Sequence, residues 1–369
     1  MDPRQRRKRL VKCLKQVPDH RSKQGRRHPL HFLLALNYLA TSSGAKGPWS
    51  AAEYGRQLTP AALKRLGCKP NRITREFLPP SANTIQAAIE ATDKGSLGQA
   101  IAKALNIPPT VAVVAVDGKT LRGSKRNGVK AKAVLSALDV CSGLVLAQRE
   151  VSEEHLEIPE FIPLLRPLNL AGTVVTADAM HTQREHANFL VEEKQAHFLF
   201  VVKDNNHALF GELNRWPEDR WSAPISVLEK GHGRVERRTI WTSSAVGHFL
   251  PFPQVHQVIR IRREVSILAT DEIREETSYA VTSLPANAAR GDKLLEISRA
   301  HWQIENGLHY VKDMAFGEDA SRVRQGATAF ALVRSHTLAL IRAAGYTSFS
   351  AAIREFAWNW HKAFAALGV

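Results

Sequence analysis

The stretch that decides the fold is VAVVAVDGKTLRG, residues 111–123. Small and β-branched residues run unbroken into Asp117, then into a basic turn, Gly118-Lys119-Thr120-Leu121-Arg122-Gly123. A short apolar run stopped by glycine reads as a buried strand, here ending in a carboxylate. Leaving that carboxylate ionised in an apolar setting is costly unless a cation or hydrogen-bond donors accept it. Asp117 therefore needs a partner, and a metal ion is one candidate. The question becomes which other acids could meet it.

Downstream the strand texture continues. AKAVLSALDV (131–140) and GLVLAQREV (143–151) read as two strands joined by a Cys-Ser-Gly turn, a hairpin. HLEIPEFIPLLRPL (155–168) is expected to be a helix, with Pro159 near its first turn. GTVVTADAM (172–180) is a second apolar strand ending in an acid, Asp178. REHANFLVEEKQA (184–196) reads as helix and HFLFVVKDN (197–205) as strand. Strand, hairpin, helix, strand, helix, strand is the pattern of a mixed α/β sheet with helices on its faces. Residues 206–288 alternate apolar and polar residues at period two, a β-rich insertion. It is expected to show a basic face: Arg234, Arg237, Arg238, Arg260, Arg262 and Arg263. Helical patterns follow from Arg290 to about Phe316, over 327–344 and over 348–366. The last carries Phe356, Trp358 and Trp360 at helical spacing, expected to be core.

Upstream, residues 1–27 form a basic run with Arg4, Arg6, Arg7, Lys8, Arg9, Arg21, Lys23, Arg26 and Arg27. Two readings stay open: a solvated tail, or an arm on a phosphate backbone. Residues 28–108 read as a small helical domain that could bind DNA, with Ser81 or Asn83 capping one helix. Pro108 and Pro109 mark its end, so a catalytic region would span 109–369.

The totals bound the function. The chain has 369 residues, 51 Lys plus Arg against 35 Asp plus Glu, and a formal charge of +16. That surplus points to a polyanion, most simply nucleic acid, against the plainer reading of a merely basic or ribosome-associated protein. Cys13, Cys68 and Cys141 form no CxxC pair, which argues against a disulfide framework or a structural zinc site. The N-terminus lacks the apolar stretch of a signal peptide, and no run approaches the ~20 apolar residues of a membrane span. A cytoplasmic location and no membrane partner are expected.

Asp117 and Asp178 end strands of one inferred sheet, where ligands gather in α/β folds. Glu305, in HWQIENGLHYVKD, is the candidate third acid. On a helix Ser298, His301, Glu305, His309 and Lys312 share one face. Three carboxylates from separate elements suit two Mg²⁺ ions, with Mn²⁺ as a substitute. Such a pair can activate water or a DNA 3′-hydroxyl and stabilise the leaving oxygen. The plainer alternative makes each Asp a cap or ion-pair partner, and Glu305 a surface acid beside His301 or His309.

AVDGKTLRGS, TADAMHTQ and HWQIENGLHYVKDMAFGED together resemble the motifs of the ISAs1 family of bacterial insertion-sequence transposases, within the wider IS4-like DDE group. The resemblance covers nearly the whole chain. It implies an RNase H-like mixed sheet with flanking helices, a β-rich insertion before the last catalytic helix and a small helical N-terminal domain. It implies Asp117, Asp178 and Glu305 as the catalytic and metal-holding triad. In the Tyr-Arg-Glu-Lys signature of the wider group, Glu305 and Lys312 match, while Ser298 and His301 stand at the Tyr and Arg positions. Arg299 could substitute from the next face. Lys119, Arg122, His181, His301, Lys312, Arg237 and Arg238 are the candidate DNA contacts. Lys203, Asp204 and Asn205 are candidates to support the site from behind. The implied activity is an insertion-sequence transposase that binds terminal inverted repeats and catalyses metal-dependent cleavage and strand transfer. Its partners would be double-stranded DNA, both element ends and target, with a homodimer on the DNA beside the nucleoid. The alternatives are a domesticated DNA-binding protein and a nuclease of the same descent that does not transpose.

Overall fold

The apolar run before Asp117 does form a strand, and it is shared by two units. The computed structural model describes residues 9–24, 26–109, 111–151, 157–231, 233–246 and 250–369. The first unit comprises Met1–Pro109, Gly118–Glu160 and Ile304–Val369; the second comprises Thr110–Asp117 and Phe161–Gln303. Arg4, Arg6, Arg7 and Lys8 of the expected arm lie outside the described residues.

In chain order the helices α1 (Arg9–Leu14), α2 (Leu30–Ser42), α3 (Pro48–Gln57), α4 (Pro60–Leu66), α5 (Ala82–Glu90) and α6 (Lys94–Leu105) come first. Strand β1 (Val113–Thr120) leads to the hairpin β2 (Ala133–Asp139) and β3 (Leu144–Val151). Next are α7 (Ile158–Leu165), β4 (Val174–Ala177), α8 (Arg184–Asn188), β5 (His197–Val202) and α9 (His207–Asn214). The insertion supplies β6 (Ile225–Gly231), β7 (Arg234–Ser243), β8 (Gln257–Ile267) and β9 (Ile273–Thr282). The chain closes with α10 (Gly291–Ile304), α11 (Tyr310–Phe316), α12 (Ala327–Ala343), α13 (Phe349–Trp358) and α14 (Trp360–Leu367).

In the first unit, α2 and α12 are buried along almost their whole length. A helix that is apolar all round has no solvent face to offer and becomes the centre of its unit. The Tyr38 hydroxyl lies 2.9 Å from His336 Nδ1, tying the two helices together. The helices of residues 30–105 therefore share a core with C-terminal helices. α1, inside the basic run, buries Leu10, Cys13 and Leu14, so this part of the expected arm is folded structure. Thr59, Ser81 and Asp93 each cap a helix by accepting an N–H near its first turn, Ser81 doing so instead of Asn83. The hairpin β2–β3 is antiparallel, and β2 lies next to β1, whose last residues belong to this unit. Of the tail aromatics, Phe356 is core, but Trp358 is 91% exposed.

In the second unit the strand order is β1-β4-β5-β9-β8-β7-β6. β1, β4 and β5 are parallel, and β9 closes antiparallel onto β5. The insertion thus extends the central sheet edge to edge. The hairpin β3-β2 beside the end of β1 in the first unit and the parallel β1-β4-β5 in the second make up the mixed sheet and flanking helices of the RNase H-like α/β class. Among the described residues no helix is long and apolar enough to cross a membrane.

Candidate active site

The two aspartates meet in the second unit. The parallel pairing of β1 with β4 ends at Val116 opposite Ala177, so the next residues are Asp117 and Asp178. Both follow directly on the paired stretch and stand level, on strands about 4.8 Å apart. Asp178 ends β4, but β1 runs on to Thr120, so Asp117 is not the strand end expected from sequence. Alternation puts them on the face shared by Ala115 and Thr176. Both are half-buried. Asp178 Oδ1 is buried without a hydrogen-bond partner among the described residues. Leaving such an oxygen unmatched is costly, which marks it as a position for a cation or a donor.

The turn after Asp178 is held from behind. Asn205 Nδ2 donates to the Ala179 carbonyl at 2.7 Å. Lys203 and Asp204 are exposed. His301 Nδ1 lies 3.3 Å from Thr176 Oγ1, on the face that carries Asp178. Burial pushes the His301 pKa down; Asp178 opposes this and His181 adds to it. His301 is therefore a neutral imidazole at pH 7 held against the acidic pair. His181 is 1% exposed, with its ring 5.1 Å from Phe161 and 5.8 Å from His186. It is an interior group, not the surface phosphate contact expected from sequence.

The basic face expected of the insertion is neutralised. Arg238 pairs with Glu229 at 3.0 Å and with Glu236, and Arg263 pairs with Glu236 at 2.5 Å. Arg262 reaches Glu275 at 2.8 Å and Arg260 reaches Glu218 at 2.5 Å. Arg234 lies 3.7 Å from Glu236. Arg237 is the looser case, 57% exposed and 4.0 Å from Glu264. Residues 225–282 carry eight Lys and Arg against seven Asp and Glu, so the strands have almost no surplus charge. Arg299 is also engaged, donating to Glu229 at 2.7 Å.

The first unit contains the remaining candidates. Lys312 is 0% exposed and pairs with Glu318 at 3.1 Å, while Arg334 meets the other oxygen of Glu318 at 3.3 Å. Burial would raise the Glu318 pKa, but Lys312 and Arg334 outweigh it and hold the carboxyl below its usual range. Lys312 is thus a buried structural cation, which corrects the expectation that it grips DNA. Lys119 is similarly occupied, 2.6 Å from Asp313 and 3.8 Å from Asp319. Arg122 is 79% exposed and only loosely held, 3.6 Å from Asp319. Glu305 is exposed and opens a π-helical turn, Glu305–His309, through which α10 passes into α11. Such turns occur often at functional positions.

Sequence reasoning missed Thr176, Asp313, Glu318 and Asp319. The last three lie in or beside the motif VKDMAFGED, where an acid next to each basic residue was a visible sign of internal pairing. Asp117 and Asp178 fit a hard cation, as adjacent oxygen donors with one buried oxygen unmatched. Glu305 belongs to the other unit. Among the described residues no group of three or more His, Cys, Asp or Glu is arranged to hold a metal ion.

A sequence profile described as "Transposase DDE domain" matches residues 110–342. The chain belongs to the DDE transposase family. A second profile, described as "DDE_Tnp_1-associated", matches residues 11–104. This transposase-family chain is 27% identical over 335 residues to "Putative transposase YncI" of Escherichia coli O157:H7, covering 86% of this chain and 82% of that one. It is also 27% identical over 344 residues to "H repeat-associated putative transposase YhhI" of Escherichia coli strain K12, covering 86% of each. A solved piggyBac transposase synaptic complex with hairpin DNA aligns over 99% of this chain and 81% of that one, at 11% identity and a TM-score of 0.38.

Proposed function

We propose that the protein is the transposase of an insertion sequence of the ISAs1 type. It binds the terminal inverted repeats of its element, cleaves them and joins the 3′ ends to target DNA, acting as a homodimer on DNA in the cytoplasm near the nucleoid. The observation that carries this reading is the adjacent pair Asp117 and Asp178 just past the parallel pairing of β1 and β4, with Asp178 Oδ1 buried and unmatched among the described residues. Asp117, Asp178 and Glu305 would hold Mg²⁺, or Mn²⁺ in its place. Bound there, such ions would polarise phosphate oxygens and activate the attacking hydroxyl. His301, neutral and 3.3 Å from Thr176, lies on the face that carries Asp178. Arg122 has an exposed guanidinium to offer a phosphate.

Most of the grip on DNA falls to the N-terminal region. Residues 1–109 carry 20 Lys and Arg against 6 Asp and Glu, so +14 of the net +16 lies there. The test uses purified protein, a duplex carrying the DNA that flanks the gene, and Mg²⁺ or Mn²⁺. Cleavage is expected with wild type and is expected to vanish in Asp117→Asn while DNA binding remains. Unchanged cleavage by Asp117→Asn would remove the catalytic assignment. Binding without cleavage under any metal would turn the reading to a domesticated DNA-binding protein.

A further inference from the structure

Ile73 is 91% exposed, in a turn between α4 and α5. One exposed apolar residue normally needs no explanation. Here the setting supplies one. The turn is built to hold its shape. Asn71 Oδ1 accepts the Ile73 N–H at 2.9 Å and the Thr74 N–H at 3.4 Å. The Asn71 N–H donates to the Glu76 carbonyl at 2.8 Å, and the Arg75 N–H to the Asn71 carbonyl at 3.0 Å. Arg75 takes a left-handed conformation, φ 60°. The base is anchored by buried Cys68, whose thiol donates to the Leu78 carbonyl at 3.5 Å. Around Ile73 stand Lys69, Arg72 and Arg75, all exposed. None of them pairs with an acid among the described residues, unlike nearly every arginine of the insertion. Glu76 is the one acid in 69–78.

We propose that Arg72–Arg75 is a DNA wedge. Ile73 enters between base pairs from the minor groove and unstacks them, while Lys69, Arg72 and Arg75 take the adjoining phosphates. Apolar wedges flanked by cations bend duplexes in this way. An unpaired cation also binds phosphate without first breaking an ion pair, so its charge acts in full through counterion release. A rigid turn contributes because little conformational entropy is lost on docking. A protein partner would suit the isoleucine but not three unpaired cations in the most basic part of the chain.

This inference rests on the reading that the chain binds duplex DNA. The test uses the full-length protein with duplexes from the DNA flanking the gene, carrying 2-aminopurine at successive positions, and a random-sequence duplex as control. Wild type is expected to raise 2-aminopurine fluorescence at one step, and Ile73→Ala to abolish that rise with a several-fold loss of affinity. Arg72→Ala with Arg75→Ala is expected to reduce the slope of log K against log salt by about 2. All these residues are exposed, so thermal melting should match wild type. Unchanged fluorescence and slope in variants of a protein that still binds and cleaves would overturn the wedge alone. Failure of wild type to bind any duplex would overturn the wedge together with the transposase reading. Loss of association with another protein, with DNA binding intact, would overturn the wedge as well.

Discussion

Replacing Lys312 with methionine separates a structural cation from a DNA contact. Its ammonium is wholly buried against Glu318, and Arg334 holds the other carboxylate oxygen. Removing one partner of a buried pair typically costs about 3–5 kcal/mol, because the remaining charge stays desolvated. Arg334 still serves Glu318, which places Lys312→Met at the lower end, about 3 kcal/mol. Domains of 150–250 residues lose about 2–4 °C per kcal/mol, so the first unit should melt roughly 6–12 °C earlier. The assay is a melt followed by circular dichroism, with DNA affinity measured across a salt series below the transition. The folded variant should keep the wild-type salt slope, since the lost charge never faced a phosphate. A melting point within about 2 °C of wild type, with a slope smaller by about 1, would show that Lys312 reaches DNA and would refute its burial.

Two further outcomes follow from the same core. His336 is buried between Tyr38 and the Val145 carbonyl, and burial pushes its pKa down to about 4 from 6.5. The unfolded chain takes up the proton first, so its stability contribution is complete above pH 6.5 and is lost as pH falls toward 4, about 3 kcal/mol in all. Denaturant titrations at stepped pH should show a shallower loss in His336→Gln, and equal slopes would refute the assignment. At Gly123 an added methyl would lie 2.1 Å from the Ser321 carbonyl oxygen and 2.9 Å from that of Asp319. Backbone cannot swing aside as a side chain can, so Gly123→Ala should cost about 1–3 kcal/mol or more, read from the urea midpoint; an unchanged midpoint would show that the two segments are not packed together.

The parts of the fold that were legible in sequence are those set by local pattern. Asp178 could be read as a strand end because it follows an apolar run; Asp117 follows one too, but β1 runs on to Thr120, and it is the parallel pairing that brings the two acids level. The hairpin was legible because its turn is short and its strands are contiguous. The basic face of the insertion was misread because ion pairing there depends on cross-strand register. Arg263 meets Glu236 only because β7 and β8 align as they do, and no count along one strand shows that. Lys312 was misread for a similar reason: helical spacing gave its face but not what covers that face. Trp358 sits at core spacing yet lies at the last residue of α13, where the packed surface ends.

The distribution of charge carries a mechanical consequence. Residues 110–369 account for only +2 of the net charge, and most arginines of the insertion are tied to carboxylates. A surface so nearly balanced releases few counterions and holds a duplex weakly by itself. If the chain binds duplex DNA as proposed, the region matched by the transposase profile would be poorly equipped to find it alone, and the 109 residues before it would carry the attraction. Paired arginines can still contribute once DNA is close, because a phosphate can displace a carboxylate at an exposed pair for little net free energy. On the proposed reading, affinity and chemistry fall to different stretches of one chain. Substitutions in the first stretch should act mainly on binding and its salt dependence, whereas those at Asp117 and Asp178 should act on cleavage at a DNA concentration that already saturates the protein.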